Sequence, residues 1–143
     1  MGPSVVPEAS GSTSWRVALP HSAQAVPLAR AVVRTALAHV QETPDSDTAE
    51  LLTAELVANA VKHTNGDAAI ELVVELMESG CQVEVHDRDP APPGNLSVPG
   101  HAAMPDPWQE GGRGLLLIRT LSSDCGHRTT AQGKAVWFTL PAL

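Results

Sequence analysis

The chain has 143 residues, enough for one domain that buries roughly two thirds of its unfolded surface. Hydrophobic residues make up 43% but aromatics only 3%, so the core has to be assembled from Ala, Val and Leu. A formal net charge of -7, with nine scattered Lys and Arg, leaves no phosphate-backbone footprint and argues against nucleic acid.

Residues 1–14 mix Gly, Ser, Pro and Val without period and are expected to be a disordered arm ahead of a domain over 15–143. They lack the basic-then-apolar order of a signal peptide, and no apolar run reaches the length of a membrane span, so a cytoplasmic location without membrane contact is expected. Trp15 to Pro20 alternates and stops at proline, as a short strand would. Ser22 then offers an N-cap to a helix with Val26, Ala29, Val33, Ala36, Leu37 and Val40 at spacings of three and four, where Pro27 is tolerable only in the first turn. Asp45, Ser46 and Asp47 cap a second helix that runs to about Thr64 and is followed by the turn chemistry of Asn65-Gly66-Asp67.

The second helix is the informative one. Leu56, Ala60, Val57, Val61, Ala54 and Ala58 spread over most of its circumference, so it should be wrapped by the rest of the fold. Glu55 and Asn59, four apart, share the remaining arc with Lys62 and His63. This polar sector faces either water, as in any amphipathic helix, or a ligand.

Ile70, Leu72, Val74 and Leu76 point one way and Glu71, Val73, Glu75 and Met77 the other, Ser79-Gly80 turns the chain, and Cys81, Val83 and Val85 alternate again, so a hairpin is expected. The phase of its second strand puts Asp87 at a core-facing position. Burying that carboxylate without donors would cost several kcal/mol, on the order of a stranded charge. Either something donates to it, or it caps the turn that follows. From Asp89 to Gln109 prolines and glycines exclude regular structure, and a loop of that length suits a lid, placed at about 89–113. Gly112-Arg113-Gly114-Leu115 then feeds an apolar helix ending near Leu121; glycines there leave backbone N–H groups open to a phosphate, or merely form a hinge. A last hairpin takes His127 to Thr130, a turn at Ala131-Gln132-Gly133, and Lys134 to Leu140. Cys81 and Cys125 fit no short-spaced metal or redox pattern, and the histidines form no zinc-like cluster.

In this order the motifs resemble the ATP-binding domain shared by histidine kinases and DNA gyrase (the GHKL, or Bergerat, fold), and within it the small bacterial anti-sigma-factor serine kinases. Glu55 to His63 is similar to that family's N box, His86-Asp87-Arg88-Asp89 to its first Gly box, Gly112 to Leu115 to its second, and Lys134 to Leu140 to its closing strand. The likeness covers about residues 15 to 141. It implies a two-layer α/β sandwich with a mixed, mainly antiparallel sheet and helices on one face. It also implies ATP as ligand, with Asn59 on the Mg²⁺ that bridges the phosphates, Glu55 as general base toward a partner's hydroxyl, and Asp87 accepting the adenine amino group. Gly112 and Gly114 would approach the phosphates, with Lys62, Arg113 and Leu115 beside them, and His63 would pack.

The partners implied are a sigma factor and an anti-sigma factor antagonist, bound by a homodimer with possible serine/threonine kinase activity. Two departures favour the alternative of a non-catalytic interaction module. Asp87-Arg88-Asp89-Pro90-Ala91 lacks the glycines of Asp-x-Gly-x-Gly, and Ala135 stands where many relatives carry a Thr or Ser whose hydroxyl could assist Asp87. A two-component histidine kinase is not expected, because no helical hairpin with a phosphoacceptor His precedes the motifs.

Overall fold

A computed structural model describes residues 4–7, 13–38, 45–64, 68–89 and 112–142. Nine elements follow one another: β1 (Ser4–Pro7), β2 (Thr13–Leu19), α1 (Ala25–Leu37), α2 (Ser46–His63), β3 (Ile70–Met77), β4 (Gly80–Asp87), α3 (Gly112–Leu121), β5 (Asp124–Thr129) and β6 (Lys134–Pro141). The strands form one sheet in the order β1-β2-β3-β4-β6-β5, and all five ladders are antiparallel, the limiting case of the mainly antiparallel sheet expected. The three helices share one face: α1 packs on β2 and β3, α2 on β4 and β6, and α3 on α2 and β5.

The arm expected to be disordered needs correction over part of its length, since Ser4–Pro7 pairs with Thr13 to Arg16. Two adjacent β-branched valines suffice to extend an existing sheet edge, although four residues are too few to show a period in sequence. Helix α1 begins at Ala25, which puts Pro27 in the first turn, where its missing N–H costs nothing. Helix α2 is capped as expected: the Asp45 carboxylate accepts from Asp47 N at 3.0 Å and Thr48 N at 3.4 Å. The β3–β4 hairpin pairs Met77 with Gly80, so its turn residues are Glu78 and Ser79. Gly80 has φ +145°, and a Cβ there would lie 1.9 Å from the Leu140 carbonyl oxygen.

The core lies between sheet and helices. Leu72, Val74, Val83, Val85, Ile118 and Phe138 are essentially inaccessible, each contributing roughly 1.5–3 kcal/mol by burial. A charged clasp ties α1 to α2 at the rim of that core. Glu50 accepts a fork from Arg34 (Nη2 at 2.8 Å, Nε at 3.2 Å), with Arg30 Nε at 3.5 Å. The Arg34 hydrogen bond holds the Glu50 carboxyl below its ordinary range, against burial that pushes it up. Among the described residues no helix is long and apolar enough to cross a membrane.

Candidate functional site

Helix α2 carries the first half of the site. Its buried side is Ala49, Leu52, Thr53, Leu56, Val57 and Ala60, against the sheet and the neighbouring helices. Leu51 and Ala58 are exposed, which corrects the expectation of a helix wrapped on nearly every side. Leucine and alanine favour the helical backbone wherever they sit, so their presence around the circumference reports propensity as well as burial. The outward stripe therefore runs through Leu51, Glu55, Ala58 and Lys62. Glu55 and Asn59 are half-buried at its edge, one turn apart; Lys62 and His63 are exposed, so His63 does not pack as expected.

Strand β4 ends in the second half. Its alternation does turn Asp87 inward, to 5% exposure. The donors that this burial demands come from the chain itself. Lys134, opposite Asp87 in the β4–β6 ladder, sets its ammonium 3.1 Å from Oδ1 and 3.0 Å from Oδ2. Asp89 N donates to Oδ1 at 2.9 Å, and Lys134 Nζ also donates to the Asp89 carbonyl at 3.0 Å. Both charged side chains are almost out of water, so the pair is sustained by mutual contact rather than by solvent. The two readings of Asp87 left open by the sequence are thus both realised: it receives donors, and it closes the turn onto Asp89.

Gly133 makes this junction possible. A Cβ at that position would sit 2.1 Å from the Asp87 carbonyl oxygen and 2.6 Å from the backbone of Arg88, so only a glycine lets the β5–β6 turn come close enough to deliver Lys134. Thr130 Oγ1 fixes the same turn by accepting from Gly133 N at 3.1 Å. The pairing of Lys134 with Asp87 escaped the sequence reasoning, although a signal was available. Val136, Phe138 and Leu140 alternate back to Lys134, which places a cation on the apolar face of one strand as Asp87 places an anion on another.

Ala135 needs a correction. It pairs with His86, and alternation puts both side chains on the sheet face away from the helices, so a hydroxyl there would point away from the Asp87 carboxylate. On that open face the small Ala135 is fully buried, and Arg128 on β5 reaches past it to Glu84 on β4 in a two-bond fork of 2.8 and 3.0 Å. Glu84 also accepts from Gln82 Nε2 and meets His86 Nε2, each at 2.9 Å. Chiefly the His86 hydrogen bond, then the Arg128 contacts, bring its carboxyl down to about 2 against opposing burial.

Gly112, Arg113, Gly114 and Leu115 are the first four residues of α3, so the helix starts at the glycines rather than after them; their side chains lie outside the described residues. Residues 90–111, most of the expected lid, also lie outside. An open cavity of about 190 Å³ adjoins Asp87, bounded by Ala69, Ile70, Arg88 and Gln132. Ala18, Glu71 and His86 of the open face also line it, so it wraps the sheet's end rather than lying under α2. Among the described residues no group of three or more His, Cys, Asp and Glu is arranged to hold a metal.

The elements that carry the motifs are therefore neighbours: α2 packs on β4 and β6 and against α3. No curated protein matches the chain. The family profile of the histidine kinase-like ATPase domain matches residues 19–140, from the end of β2 through β6. With that match spanning the sheet, the helix of Glu55 and Asn59, and the strand end of Asp87, the chain belongs to the histidine kinase-like ATPase domain family.

Proposed function

We propose that the protein is an ATP-binding regulator of the anti-sigma factor type, which sequesters a sigma factor and answers to an antagonist protein, as a homodimer. The family match over 19–140, with Glu55 and Asn59 half-exposed on α2, which packs on β4, β6 and α3, supports the ATP-binding part of this reading; the regulatory role, the partners and the homodimer are drawn from the resemblance of the motifs to the anti-sigma-factor serine kinases. The residues fit ATP and Mg²⁺ in part. A carboxamide and a carboxylate one turn apart are the hard-oxygen donors that Mg²⁺ takes, and the first turn of α3, like any helix start, has N–H groups without intrahelical acceptors that could meet phosphate oxygens. Bound ATP would supply the transferable phosphoryl group. Asn59 would hold the metal, Glu55 would accept the proton of a serine or threonine hydroxyl presented by the antagonist, and Lys62 and Arg113 would offset phosphate charge.

Calorimetric titration of ATP with and without Mg²⁺ tests the reading. Binding should require the metal and disappear in Asn59→Ala; unchanged binding in that variant would remove Asn59 from the site. Glu55→Gln should retain ATP yet slow phosphate transfer to the antagonist by about 10²- to 10⁴-fold, the usual contribution of a general base. Transfer at the wild-type rate would exclude Glu55 from that role.

A non-catalytic interaction module of the same fold is the second reading, favoured by one specific feature. The carboxylate expected to read adenine already has a lysine on it. Partner binding that is indifferent to ATP would support this version.

A further inference from the structure

We propose that the outer side of α1, with the strip of β2 beside it, is a docking surface for an amphipathic helix of a partner protein whose apolar seam is flanked by Asp or Glu. The surface lies on the far side of the helix layer from α3 and contains neither Glu55 nor Asn59, so it stands apart from the nucleotide reading.

The helix layer ends at α1, which packs on β2 and β3, whereas the sheet continues past β2 to β1. Between α1 and β2 a cavity of about 420 Å³ is left, a volume usual for a binding site. Its floor is Trp15, Val17 and Leu19 of β2, and its wall is Leu28, Val32 and Thr35 of α1. Leu28 is 47% exposed there. With Ala31, which also lines the cavity, the wall residues recur at i, i+3, i+4 and i+7. They form a second apolar stripe on α1, roughly a third of a turn from the buried one of Ala25, Ala29, Val33 and Ala36. One stripe seats α1 on its own core. The other has the spacing that a neighbouring helix uses, and no described helix of this chain lies against it.

Charge decides what kind of helix fits. All 16 acidic residues of the chain fall outside residues 9–41, the stretch that makes β2 and α1, whose charged side chains are Arg16, Arg30 and Arg34. Arg16 is matched by Glu71, but Arg30 and Arg34 share the single carboxylate of Glu50, which leaves one positive charge in excess on α1. Arg34, 62% exposed, stands on the solvent shoulder of the second stripe, next to Thr35 and one helical turn from Ala31. A second copy of the chain docked here about a two-fold axis would set one basic edge against another. A helix with carboxylates beside its apolar seam meets the excess charge instead, and the acidic remainder of the chain, net -7 overall, repels it from other surfaces.

The test is calorimetric titration of the intact protein with two synthetic peptides as long as α1, 13 residues. Both carry leucine at i, i+3, i+4 and i+7, flanked by Glu in one and by Lys in the other. At about 0.15 M salt, charges more than roughly 8 Å apart are screened, so the comparison reads the groove rather than the whole chain. The Glu peptide should bind more tightly by about fivefold or more, the span of one exposed pair gained. Equal affinities, or tighter binding of the Lys peptide as the net charge alone would dictate, overturn the proposal, and so does binding of neither. Leu28→Gln and Ala31→Gln supply the second arm, at exposed helix positions where glutamine is a good helix former. Each should weaken the Glu peptide by about fivefold or more, through lost apolar contact or a blocked approach. Unchanged affinity in either variant places the peptide elsewhere and overturns the proposal. Sedimentation of the same variants covers the remaining occupant: a dimer of the wild-type protein that either substitution splits into monomers assigns the groove to a second copy, and the proposal falls.

Discussion

Glu84 and Asp87 stand three residues apart on β4, point to opposite faces of the sheet, and both end in ion pairs, yet they are held in different ways. Glu84 shares its charge among Gln82, His86 and Arg128, and the Arg128 side chain is 51% exposed. Asp87 relies on one cation, and the two side chains are only 3% and 6% exposed. At the open face the loss of a partner leaves other partners and water. At the helix face it leaves a bare charge in the core. The lesson is that connectivity and access to solvent, more than the number of bonds, decide how much one substitution can cost.

The largest effect should therefore come from Lys134→Met, which strands Asp87. A loss of about 3–5 kcal/mol in urea denaturation is expected, the range for breaking a buried pair from one side. Adding Asp87→Asn should return part of it, because a neutral amide tolerates burial better than an unpaired carboxylate. A loss below about 1 kcal/mol for the single variant would place Asp87 among the surface pairs and erase the contrast with Glu84.

Glycines sharpen the same comparison, because one lies under a close approach beside the Asp87–Lys134 pair and another on β5 faces the Trp137 ring. Gly133→Ala drives a Cβ into the Asp87 carbonyl oxygen and the Arg88 backbone, atoms that cannot move without opening the β4–β6 junction. Thermal unfolding should show a loss of about 1–3 kcal/mol, as for overpacking. Gly126→Ala meets the Trp137 ring at 2.8 Å, and a ring can tilt, so its cost should be the smaller of the two. The reverse order would mean that the turn at Gly133 yields more readily than the indole.

The contrast was only half legible in the sequence. Alternation in β4 was enough to turn Asp87 inward and to demand donors for it, since a period of two leaves no choice of face. The identity of those donors depends on which strand lies beside β4, and in an order of β4-β6-β5 that neighbour comes from 47 residues further along the chain. Local periodicity carries no information about such pairing. The same gap explains Ala135, assigned to Asp87 on motif position although the register sends it to the other face. Helices α1 and α2 were readable because Pro27, Asp45 and the three-four spacing act within a turn. The solvent stripe of α2 was not, because Leu51 and Ala58 serve a helix equally well inside or outside.

The smallest effect is expected at the open face, where Arg128→Gln removes a two-bond fork from Glu84 but leaves His86 and Gln82 in place. Near neutral pH the cost should be about 0.5–1 kcal/mol, typical of a solvent-exposed pair. Its pH dependence separates charge from packing. The folded-state carboxyl of Glu84 lies at about 2, below the ordinary 4.5, so its contribution is fully present above the ordinary value and is lost as pH falls toward 2. The gap between wild type and Arg128→Gln should accordingly be widest above that window and close as acid protonates Glu84 in both proteins. A gap that stays constant through the acid range would assign the role of Arg128 to its aliphatic stem lying over Ala135. In that case the open face would be held, like the helix face, by contact rather than by shared charge.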